Sequence, residues 1–113
     1  MCVRLDKKLT GQRKGWKIFA VRNGKLYSLC EGPYVADRQF PEGWVKSEGG
    51  PGFQAFVRKP DMAALARLWV CIFKEIALRR VALRGDVFVG TIEGMDGYSD
   101  GKRGYCAQEV KLL

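Results

Sequence analysis

The segment that most restricts the fold is WKIFAVR, then NG, then KLYSLC, at residues 16–30. Its apolar side chains alternate. Trp16, Ile18 and Ala20 fall on one face of an extended chain, and Phe19 and Val21 on the other. Asn23-Gly24 between the arms supplies the two positive φ angles that a type I′ turn demands, so the segment predicts a β-hairpin and with it antiparallel pairing.

A second stretch with period two is ALRRVALRGDVFVGTI, residues 77–92. Val81, Leu83, Val87 and Val89 share one side if Gly85 passes straight through or forms a bulge, which predicts one long bent strand or two strands meeting at Arg84-Gly85-Asp86. Shorter strands are expected at residues 3–5, 44–46, 53–58 and 105–113. Residues 7–15, most of 32–52, and 93–104 read as loops because they are rich in glycine, proline or polar side chains.

One segment reads as a helix. Asp61 is placed to cap it, Met62-Ala63-Ala64-Leu65 forms its first turn, and it runs to about Lys74. Leu65, Trp69, Ile72, Phe73 and Ile76 then share a face that packs on a sheet rather than lining a cofactor pocket. The architecture expected is a single α+β domain over residues 1–113, a mostly antiparallel sheet of about five strands with one main helix packed on it.

Hydrophobic residues make up 47% of the chain and charged residues 28%, enough apolar matter for a folded core. There is no histidine, which removes Ser-His and Cys-His nucleophiles and every imidazole metal site. Cys2, Cys30, Cys71 and Cys106 stand 28, 41 and 35 positions apart, without metal-ligand or redox spacing. No metal or cofactor is expected, and no catalytic residue is assigned. No apolar run is long enough to span a bilayer, and reduced thiols fit a cytoplasmic protein.

The net charge of +8 is uneven. Residues 1–25 hold eight basic side chains against Asp6 alone, a net +7, while the other 88 residues hold 12 basic and 11 acidic ones. Such asymmetry predicts a surface that meets something anionic, or else a basic end that only confers solubility. On the first reading Lys7, Lys8, Arg13, Lys14, Lys17, Arg22 and Lys25 contact nucleic acid or a nucleoprotein, and Trp16 either stacks on a base or belongs to the core.

The loop EGGPG at residues 48–52 fails as a phosphate cradle, because its glycines lead into a strand and not into a helix. Asp96, Asp100 and Gly101 fail as a calcium loop, since Tyr98 and Ala107 stand where ligands are needed.

GFQAF at 52–56, VALRGDVFVG at 81–90 and GYCAQEVKLL at 104–113 together resemble a pattern in small uncharacterised proteins of phages and mobile elements: G-F-H-A-F, then V-x-L-x-G-x-V, then G-Y-R-A-E. The likeness spans roughly the C-terminal half. Where that pattern has His, Arg and Glu, this chain has Gln54, Cys106 and Gln108. If those positions are reactive in the relatives, the three changes remove proton transfer here; if they are structural, glutamine still donates and accepts hydrogen bonds.

The expected function is therefore a small basic binding protein of a mobile element, leaning away from catalysis. Two alternatives stay open. One is an effector that binds a host protein through apolar surface near residues 40–56. The other is a nucleotide-handling enzyme with a cleft lined by Gly52, Phe53, Gln54, Cys106 and Gln108, and with Glu93, Asp96, Cys106 and Glu109 as its reactive groups.

Overall fold

The hairpin turn forms as its residues demand. Asn23 sits at φ 53° and Gly24 at φ 75°, with Arg22 opposite Lys25 and Phe19 opposite Ser28. The computed structural model describes residues 2–28, 39–47, 52–64, 75–93 and 101–113, and the hairpin arms in it are β2 (Arg13–Arg22) and β3 (Lys25–Ser28). A Cβ added at Gly24 would meet nothing within 4 Å, so only the backbone angle is at stake there. Gly24→Ala is expected to cost about 1 kcal/mol, read as a lower urea midpoint with an unchanged slope. An unchanged midpoint would show that the turn does not depend on that angle.

Two strands now enter, β1 (Cys2–Leu9) and the 18-residue β6 (Ile76–Glu93). β1 and β2 lie end to end along β6, both antiparallel to it, from Cys2 opposite Glu93 to Leu9 opposite Val87, and from Arg13 opposite Leu83 to Ala20 opposite Ile76. At about 3.3 Å per residue a straight strand of this length would reach about 60 Å. The longest dimension of the molecule is 36 Å, so β6 has to bend.

It bends at Gly85, where φ is 85° and the pairing to β7 (Arg103–Leu112) slips from Arg84 opposite Glu109 to Val87 opposite Ala107. The long bent strand expected from the sequence is the one that forms. β4 (Trp44–Lys46) and β5 (Phe53–Phe56) pair with the far and near parts of β7, and Trp16 of β2 pairs with Phe56 of β5. β2, β6, β7 and β5 thereby close a ring, which leaves these strands with few open edges. Gly15 permits the closure, since a Cβ there would stand 2.9 Å from the Phe56 carbonyl oxygen.

Phe19, Phe40, Ala55, Val81, Leu83, Val87, Ala107 and Val110 fill one core cluster. Ile18, Ala20, Phe56 and Ile92 form a second, with Trp16, Tyr27, Ile76 and Leu78 packed against it. β2 thus buries both of its faces.

The α+β expectation is corrected by this architecture. Among the described residues 70% are in strands and 4% are helical, with no helix of seven residues or more. Asp61 does cap a first turn: its Oδ1 accepts from the amides of Ala63 at 2.9 Å and Ala64 at 3.4 Å. Residues 65–74, which carried most of the expected helix and Cys71, lie outside the described residues. Ile76, assigned to the helical face, instead opens β6 opposite Ala20. Cross-strand pairing with the hairpin outweighs the local helical spacing there.

The loop expected at residues 7–15 is also corrected. Only Thr10–Gln12 interrupts the strands, because the charged side chains on either side point to solvent while their backbone pairs with β6. Asp96, Asp100 and residues 48–51 lie outside the described residues. Among the described residues no helix is long and apolar enough to cross a membrane.

Candidate nucleic-acid interface

Side chains directly opposite one another across a ladder share a face. The register therefore builds an outer surface over β2, β6, β7 and β4 in three rows. Trp16 lies beside Arg80. Lys14, Ala82, Lys111 and Trp44 make the next row, and Arg84, Glu109 and Lys46 the third. Lys59 joins from beyond β5, its ammonium 5.3 Å from the Trp16 ring centroid.

Among the described residues, those rows and Lys59 bring together six cations, Lys14, Lys46, Lys59, Arg80, Arg84 and Lys111, and one carboxylate, Glu109. The two tryptophans there each carry a guanidinium, Arg80 at 5.0 Å from the Trp16 centroid and Arg84 at 4.0 Å from that of Trp44. Glu109 Oε1 accepts from Arg84 Nη2 at 3.1 Å and so fixes the guanidinium over the Trp44 ring. Ala82, 1% exposed, lies in the middle of the arrangement.

The basic segment singled out by composition is dispersed by the fold. Lys14 and Trp16 stand on the surface just described. Lys7 and Lys8 are exposed on β1, where Lys8 pairs with Asp86 at 3.0 Å. Arg13 donates to the Thr10 carbonyl at 3.3 Å. Arg22 and Lys25 flank the hairpin turn, with Arg22 over Tyr27 at 5.8 Å.

Lys17 is interior. It is 5% exposed, and its ammonium lies 5.4 Å from the Phe19 centroid and 5.7 Å from that of Phe53. The alternation along β2 sets this outcome, since Lys17 shares the face of Phe19 while Lys14 shares that of Trp16.

The residues named for a cleft do come together, as a packed ladder. Phe53 pairs with Ala107 and Gln54 with Cys106, and Cys106 is fully buried. Gly52, at φ 98°, lies so close to β7 that a Cβ would overlap the Ala107 carbonyl and stand 3.3 Å from the Gln108 amide. Glu93 pairs with Arg4 at 3.9 Å and Glu109 with Arg84, so these carboxylates are engaged with arginines. Among the described residues no three Cys, Asp or Glu side chains converge as a metal site needs.

Of the apolar side chains expected to form a surface near residues 40–56, Phe40 and Phe56 face the core, while Trp44 is half-buried on the outer surface. Phe40 is 6% exposed and packs edge-on against Phe19 at 5.0 Å and Phe53 at 6.1 Å, and Phe56 is 2% exposed.

Sequence reasoning missed Trp44, Lys46, Lys59, Arg80, Arg84 and Lys111. Part of the signal was present. With Val81 and Leu83 facing the core, Arg80, Ala82 and Arg84 had to face the other way. The assembly of β7 and β4 beside them depends on pairings far apart in the chain, 29 residues from Ala82 to Lys111 and 67 from Trp44 to Lys111.

Comparison with protein-family models, with curated proteins and with solved structures gives no match.

Proposed function

We propose that this protein is a non-enzymatic nucleic-acid-binding protein that works in the cytoplasm and grips its ligand with the outer surface of β2, β6, β7 and β4. The observation that carries the reading is the pair of guanidinium-covered tryptophans set among Lys14, Lys46, Lys59 and Lys111. Cations on a pleated surface offer phosphate contacts, which give affinity with little sequence selectivity. Arginine and tryptophan together favour nucleic acid over a merely solvated basic end, since planar groups meet bases as well as phosphates.

Salt tests the proposal. If about five phosphates are neutralised, log affinity falls against log salt with a slope of about −3.5 for a single strand. Fluorescence anisotropy of a labelled oligonucleotide across a potassium chloride series gives that slope. A flat dependence, or no binding at low salt, would overturn the reading.

A further inference from the structure

We propose that this surface selects single-stranded nucleic acid, one base stacking on Arg80 over Trp16 and another on Arg84 over Trp44. The proposal rests on the nucleic-acid reading above and names the class of ligand.

Each stack is already half built. Arg84 lies within contact distance of the Trp44 ring, is held in place by Glu109, and keeps 44% of its side chain exposed. A guanidinium plane backed by an indole offers its outer side to a base, and bases stack on arginine as they do on aromatic rings. Arg80 over Trp16 repeats the arrangement, with Lys59 as a second cation on the same indole.

Cations stand between the two stacks. Lys14 and Lys111 are the two cross-strand neighbours of Ala82, one on each side of β6. Lys14 is exposed and Lys111 half-buried, and their charge favours the phosphates of a strand that lies across both stacks.

The spacing of the stacks excludes a duplex. Arg80 and Arg84 are four residues apart on one strand, about 13 Å, which is about four rises of stacked bases. In a duplex the base faces are covered by their neighbours at 3.4 Å, and neither stack has a face to take. In a single strand two bases separated by unstacked nucleotides can turn down onto the protein.

Three labelled probes of equal length test this by anisotropy: an oligothymidylate, its duplex with the complementary strand, and an abasic deoxyribose-phosphate strand. The single strand is expected to bind about tenfold or more tighter than either of the others. The double variant Arg80→Lys with Arg84→Lys keeps the charge and loses the planar groups, so it is expected to keep the salt slope and lose the preference. Equal binding of the abasic strand, equal binding of the duplex, or an unchanged preference in the double variant would each overturn the stacking proposal. Failure of all three probes to bind would instead overturn the nucleic-acid reading on which it rests.

Discussion

Leu83→Ala is expected to cost the fold about 3–4 kcal/mol, because the removed atoms leave a cavity that a ringed sheet cannot collapse to fill. Leu83 is 0% exposed and lies in the cluster of Phe19, Val81, Val87 and Val110. It also sits on the stretch of β6 that pairs with β2 on one side and β7 on the other, through Arg13 and Val110. Movement of its backbone would break hydrogen bonds in both ladders at once.

The matched control is Leu5, 44% exposed on β1, where alanine should cost less than about 0.5 kcal/mol. Urea unfolding of the two variants gives both numbers. For a domain of this size the Leu83 variant should melt about 10–15 °C lower. A Leu83→Ala loss no larger than that of Leu5→Ala would mean that β6 does not form the centre of the core.

The sequence carries this part of the fold because its signals are local. The alternation of Val81, Leu83 and Val87 is readable from neighbours two residues apart, and Asn23-Gly24 and Gly85 mark a turn and a bend by their own backbone freedom. The extent of β1 and β2 was not readable. Lys7, Lys8, Arg13 and Lys14 look like loop residues until β6 is laid beside them, since a charged side chain on a solvent-facing strand carries no pattern of its own.

The end of the proposed helix failed for a related reason. Ile76 fits the 3.6-residue spacing of the residues before it and also the alternation of those after it, and only its pairing with Ala20 decides between them.

Of the candidate surface, the sequence showed a basic segment but not the neighbours that the fold gives it. Counting charge located a basic segment, but counting treats Lys14 and Lys17 alike, and the strand places one outside and the other among phenylalanine rings. Lys46, Arg84 and Lys111 belong to segments of nearly balanced charge, so composition passes over them. They become a surface only when β4, β7 and β6 are side by side.

Reversing three of these charges together, Lys14→Glu, Arg80→Glu and Lys111→Glu, is expected to weaken binding of a single-stranded oligonucleotide by a hundredfold or more, because repulsion replaces the phosphate contacts of the two lysines and the base stack on Arg80. A second triple variant, Lys7→Glu, Arg22→Glu and Lys25→Glu, changes the net charge of a +8 chain by the same amount at the end of the hairpin and on β1. Long-range attraction falls equally in both, so any difference between them belongs to contact rather than to overall field. The hairpin triple should lose only a few-fold, and mostly in association rate. All six positions other than Lys111 are exposed, and Lys111 is half-buried beside Trp44, so circular dichroism and melting of each variant separate lost binding from lost fold. Equal losses from the two triples would mean that the protein is held by its net charge and that the rows around Ala82 have no special part. A larger loss from the hairpin triple would move the binding surface to the basic segment that the sequence alone first pointed to.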